Sequence, residues 1–232
     1  MSVHLATSKE PLRLAFNALP DAKILDMQKR SFFLQRPPKR GPTILWSLDK
    51  VINRLLYERF MINPTHENRL HKALFLIALA TGLRVSQLAA LSRSSSLTRF
   101  GRAESSVSLV PHPTCIAKNE RNNHILAPIE IPAWFDGEEP HPLCPVLALG
   151  NYMRTAPADA SDPLWWIWPD SMKSCSRAHV TKIICQVIEC SDPGRAPKAY
   201  QVRAYAGSVA FLRSFDLELV TEAGQWASCR YS

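Results

Sequence analysis

The sequence has no C-x-x-C pair, and its six cysteines, Cys115, Cys144, Cys175, Cys185, Cys190 and Cys229, fall at irregular spacings. That argues against a zinc site or a regular disulfide framework and leaves buried free thiols in a reducing compartment. Long apolar runs are also missing. The longest, ALFLIALATGL at 73–83, is about half of what a membrane-spanning helix needs, and the opening MSVHLATSKE is too polar for a secretion signal. These features predict an intracellular protein. There is no internal repeat and no low-complexity tract. Acidic residues are the scarcer charge, 20 against 28 Lys and Arg, so the chain carries +8 with a pI near 9.4. A surplus of that sign favours an anionic partner such as nucleic acid.

With 46% apolar and 21% charged residues, the 232-residue chain has a folding composition and enough length to bury a core. The charge is uneven. Residues 1–45 hold eight Lys or Arg against three acids and supply +5 of the +8. QRPPKRGP at 35–42 resists both helix and strand and tends to extended polyproline II, so a boundary is expected there. Residues 9–34 have a helical look, with Leu12, Leu14, Phe16, Leu19, Ile24, Leu25 and Met27, but too few apolar side chains for a core of their own.

Beyond the boundary, Ser47 is placed to cap a helix whose Leu48, Val51, Ile52 and Leu55 share one face. A second helix is predicted from near Thr65, burying Leu70, Leu74, Ile77 and Ala78 and ending at Gly82, with a short third helix over Ser86–Leu91. At 106–131 the period changes to two. SVSLV alternates, Ile125, Ala127, Ile129 and Ile131 share a face, and KNERNN at 118–123 supplies turn residues, so two antiparallel strands are expected inside a helical domain. Helices return at 145–155 behind Pro145, at 177–190 with the stripe Val180, Ile183, Ile184, Val187 and Ile188, and, after SDPGRAP breaks the chain, at 199–214 and 217–223. Asp216 is placed to cap the last of these and Gly224 to stop it. The fold class is therefore α+β, mainly α, with a small antiparallel sheet.

In the 199–214 helix, Val202, Tyr205, Ala206, Val209 and Leu212 form the core face and Arg203 lies at its border, with Gly207 and Ala210 one and two turns on. Such an arginine fits either a core-edge ion pair or a cation facing a ligand. A second arginine, Arg84 in ATGLRVSQLAALS at 80–92, leaves a tight inter-helix turn at Thr81-Gly82, flanked by Leu83, Val85, Leu88 and Leu91. This segment resembles the first active-site box of the tyrosine recombinases, the phage-integrase family, with Gln87 where the family usually has glutamate. YQVR at 200–203 is similar to the family's second box, His-x-x-Arg, with Tyr200 in the histidine's place. Lys118 falls at the predicted hairpin turn, where the family carries a lysine, and Trp226 in DLELVTEAGQWAS matches its third-box position. Lys50, Lys72, Lys173 and Lys182 otherwise read as solvated surface residues.

The resemblance covers about residues 45–232 and looks most like recombinase domains of eukaryotic mobile elements. It implies a remnant of a helical core-binding domain at 1–35, a basic linker at 36–44 and an integrase-like catalytic domain at 45–232. Arg84 and Arg203 would clamp the scissile phosphate, Lys118 would protonate the leaving oxygen, Trp226 would donate its indole N–H, and Tyr200 would hydrogen-bond the phosphate. Lys29, Arg30, Arg36, Lys39 and Arg40 would contact DNA. The implied partner is duplex DNA, with copies of the chain assembling as a synaptic tetramer. No metal, cofactor or membrane is implied, and the implied location is the nucleus if the host is eukaryotic. The family's nucleophilic tyrosine would fall just past Ser232. Tyr231 is the one tyrosine after Trp226, so impaired recombination or a non-catalytic DNA-binding remnant is expected.

Overall fold

In the computed structural model, the described residues are 46–115, 128–155, 162–167 and 173–214, with the side chains of Glu58 and 209–214 excepted. The chain divides into Met1–Thr43 and Ile44–Ser232, and every described residue lies in the second unit. Its helices are α1 (Leu48–Leu55), α2 (Glu58–Met61), α3 (His66–Thr81), α4 (Val85–Ala89), α5 (Pro145–Met153), α6 (Arg177–Ser191) and α7 (Tyr200–Ser214). The strands are β1 (Thr98–Phe100), β2 (Ser106–Leu109), β3 (Ile129–Pro132), β4 (Phe135–Asp136), β5 (Glu139–Pro140), β6 (Trp166–Ile167) and β7 (Lys173–Ser174). No helix among the described residues is long and apolar enough to cross a membrane.

The architecture is organised around α3. Thr65 caps it, its side chain accepting from the Asn68 backbone N–H at 3.2 Å. Leu70, Ala73, Leu74, Phe75, Leu76, Ile77 and Ala78 are all buried, so the helix is apolar on nearly every side. A helix of that kind has to be surrounded, and α5, α6 and α7 pack against it. Each of Leu74, Phe75 and Ile77 contributes about 1.5–3 kcal/mol by leaving water. The stripe predicted on α6 is buried as expected, Val180, Ile183, Ile184, Val187 and Ile188 together.

Ser47 precedes α1 as predicted, but its side chain makes no cap bond. Instead the Ser47 backbone N–H donates to Asp192 at 3.1 Å, beyond the end of α6, and Lys50 donates to the same carboxylate at 2.7 Å. The hydrogen bond from Lys50 holds the Asp192 carboxyl below its ordinary range. Lys50 is thus an ion-pair partner at the surface, while Lys173 and Lys182 are exposed as expected. Lys72 is not: it is 8% exposed. Burial also differs among the thiols, since Cys144 and Cys175 are buried but Cys190 is exposed in the last turn of α6.

The predicted antiparallel pair is present as β2 and β3, Val107 opposite Ile131 and both buried. A third strand, β1, joins β2 on its other edge, Thr98 opposite Leu109. Where the chain leaves β2 it runs along α4: His112 N–H donates to Ala90 O at 2.8 Å, and the Cys115 thiol lies 3.6 Å from Ser86 O. The expected helix at 217–223, the helical segment at 9–34, Ile125 and Ala127 lie outside the described residues.

Candidate functional site

The turn between α3 and α4 is fixed by its own hydrogen bonds. Gly82 has φ +59°, the left-handed conformation that glycine adopts with least strain, and its N–H donates to Ala78 O at 3.0 Å. The Thr81 hydroxyl donates to Ile77 O at 2.7 Å and accepts from Leu83 N–H at 3.2 Å. Leu83 and Leu88, each under 3% exposed, pin the turn to the core.

Arg84 follows in extended conformation at the N-cap of α4. Its side chain cannot accept a hydrogen bond, so the reverse half of a capping box does the work: Gln87 Oε1 accepts the Arg84 N–H at 3.0 Å. Glutamine therefore fills the helix-capping role of the glutamate expected from the resemblance, without placing a negative charge beside the arginine. The Arg84 backbone is held and its side chain is half-buried. No carboxylate among the described residues forms an ion pair with it.

Arg203 reaches this turn from one helical turn into α7. Its Nη1 donates to Gly82 O at 2.7 Å across 121 residues of sequence. Burial draws its guanidinium well below the usual arginine range, down to about 10, and the positive charge of Arg84 adds to the effect. Arg84 and Arg203 are thus close enough to repel. The small-residue character of α7 leaves room here: a Cβ added at Gly82 would meet Ala206 Cβ at 3.9 Å, an ordinary van der Waals distance. Trp46 braces the other side of α7, donating to Gln201 Oε1 at 3.2 Å and stacking on Tyr205 with ring centroids 5.7 Å apart. Tyr200 opens α7 and is 53% exposed, three residues before Arg203 and so adjacent to it on the helix surface.

The structure therefore brings Arg84, Arg203 and Tyr200 to one end of α3. Lys118, Trp226, Tyr231, Lys29, Arg30, Arg36, Lys39 and Arg40 lie outside the described residues. Sequence reasoning missed the Gly82 carbonyl as an anchor and the brace from Trp46. Neither carries a sequence signal, because one is a backbone atom and the other a contact between chain segments far apart.

The two cations are held near each other in a partly desolvated setting, Arg203 bonded to the Gly82 carbonyl and Arg84 half-buried at the N-cap of α4. An anion placed between them would accept forked N–H donors and relieve their repulsion.

No protein-family model and no curated protein matches the chain. Solved structures do. The XerH site-specific recombinase bound to difH substrate in a pre-cleavage complex is 15% identical, with 82% of this chain and 48% of that one covered and a TM-score of 0.56. The post-cleavage complex of XerH with palindromic difH substrate gives 15% identity, 84% and 49% coverage and a TM-score of 0.57. XerA recombinase is 17% identical over 97% of this chain and 74% of its own, with a TM-score of 0.49. This chain spans about half the length of the XerH chains it matches. The mainly helical α+β architecture with its small antiparallel sheet is the integrase-like fold of the XerH recombinase.

Proposed function

We propose that the chain binds duplex DNA, with Arg84 and Arg203 gripping one backbone phosphate, and that this grip derives from tyrosine-recombinase phosphodiester transfer. The observation that carries this reading is the repelling pair itself. Two like charges from opposite ends of the domain are held in mutual reach, one of them anchored on Gly82 O. An anion seated between them would accept N–H donors from both guanidinium groups and offset their repulsion.

In such a transfer a tyrosine oxygen attacks phosphorus, a Tyr–O–P bond forms and the P–O5′ bond breaks. The 5′-oxygen leaves as a hydroxyl after accepting a proton. The non-bridging oxygens gain negative charge on the way, and a preorganised donor there is typically worth about 3 kcal/mol. Lys118 is assigned the proton donor's role. Tyr231 is the candidate nucleophile and Trp226 a further donor to the phosphate. Lys29, Arg30, Arg36, Lys39 and Arg40 would add contacts along the DNA from the 1–35 segment and the 36–44 linker, and copies of the chain would assemble on the duplex. An origin in a eukaryotic mobile element and action in the nucleus complete the reading.

Tyr200 favours a second reading, a domain that binds DNA without cutting it. A phenol is a poorer proton acceptor than an imidazole, so it serves less well where a histidine would act as the base. A nicked suicide duplex separates the two. A covalent adduct that Tyr231→Phe abolishes supports transfer, whereas binding without an adduct supports the binding-only reading. Both fall if affinity for duplex DNA does not drop steeply with added salt, since phosphate contacts release counterions.

A further inference from the structure

At the far end of α3 from Gly82 lies a cleft of about 410 Å³, walled by α2, α3 and α5. Its apolar lining includes Phe60, Pro142 and Leu147, and no Asp or Glu lines it. Three cations do: Arg69, Lys72 and Arg154. Arg154 is occupied at the rim by Glu104 and by Asn151 Oδ1. Arg69 has no ion-pair partner among the described residues.

Lys72 is the unusual member. More than nine-tenths of it is buried, and its ammonium donates to the Met61 thioether sulfur at 3.0 Å, a weak acceptor for a full charge. Desolvation draws it down to about 8. A buried ammonium in a cavity open to solvent, with a second unmatched cation one turn away on the same helix, is what an anion-binding pocket presents before its ligand arrives. The apolar lining adds a place for a flat or aliphatic body.

We propose that this cleft binds a small organic anion, a phosphate or carboxylate head seated between Lys72 and Arg69 with its apolar body against Phe60 and Leu147. Lys72 precedes Gly82 by ten helical residues, roughly 15 Å along the axis, so the pocket is separate from the arginine pair. The inference does not depend on the DNA reading.

Phenyl phosphate, benzoate and benzyl alcohol, titrated into the full chain and followed by calorimetry and amide NMR, test it. The expected result is saturable millimolar or tighter binding of at least one of the two anions, none of the alcohol, and shifts at Asn63 and Asn151. The stronger of the two anions identifies the head group. Lys72→Met should weaken that binding about tenfold or more, as loss of one charge-assisted hydrogen bond implies, and Arg69→Gln provides the same readout if Lys72→Met fails to fold. Arg84→Ala should leave it unchanged. No saturable binding of either anion, equal binding of the alcohol, or displacement of the anion by duplex DNA would each overturn the proposal, the last by making the cleft part of the DNA surface. Failure of DNA binding alone leaves these expectations as they stand.

Discussion

The two ends of α3 both gather positive charge, and they hold it in opposite ways. At the C-terminal end, Arg84 and Arg203 are fixed by backbone: one by Gln87 capping its N–H, the other by the Gly82 carbonyl. At the N-terminal end, Lys72 is fixed by burial, with only a thioether to bond. Charge held by backbone hydrogen bonds suits the flat polyanionic surface proposed for it. Charge held by burial waits for something small enough to enter. The lesson is that electrostatic role follows from what positions a cation, since the formal charge is the same at both ends.

Substitutions sharpen this contrast. The largest effect is expected from Arg203→Ala, which removes the proposed phosphate donor and the tie to Gly82 together. Affinity for duplex DNA should fall by about 2 kcal/mol, roughly thirty-fold, and unfolding stability by about 1 kcal/mol. Fluorescence anisotropy and urea denaturation measure the two. Arg84→Ala should cost the same in affinity and lower the salt slope by about one, with stability changed by less than about 0.5 kcal/mol because its side chain has no ion-pair partner among the described residues. A large stability loss there would break the comparison.

Gly82→Ala should reduce stability by about 1–2 kcal/mol, through the positive φ rather than through crowding, since the added methyl meets Ala206 at an ordinary distance. Its effect on DNA affinity should be smaller than that of either arginine. Lys72→Met should leave DNA affinity unchanged and alter the pH profile of stability instead. In the wild type the folded state releases its Lys72 proton near pH 8 and the unfolded chain near 10.5, so between those values unfolding takes up a proton and stability rises with pH. The difference between wild type and variant should show that rise, measured by denaturation at pH 8 and pH 10.5, and a difference that stays flat would contradict the burial of Lys72.

Much of this was legible beforehand because period and punctuation agreed. Thr65 and Gly82 bracket α3 in sequence as they do in space, and the α6 stripe follows a strict helical spacing. The strand β1 was not legible, as Thr98–Phe100 is too short to display a period of two. In sequence Lys72 reads as solvated because a lysine among apolar residues on a helix gives no sign of which face is covered, and on α3 nearly every face is. Arg84 stood out through its motif. Arg203 stood out through its small neighbours, but a bond to a backbone carbonyl 121 residues away leaves no trace in side-chain pattern. Tyr200, Lys118, Trp226 and Tyr231 were nominated by resemblance, and of these the described residues include Tyr200 alone.

The bond between Arg203 and the Gly82 carbonyl also sets an order of events during synthesis. The Arg84 turn and α3 leave the ribosome long before α7 does, and α3 has to bury its apolar flanks on partners made later. Until residue 203 has emerged and the long intervening chain has closed, Arg84 stands without its companion. A nascent chain paused anywhere earlier carries the first arginine on its turn but not the second, so the pair comes together only after residue 203 has emerged.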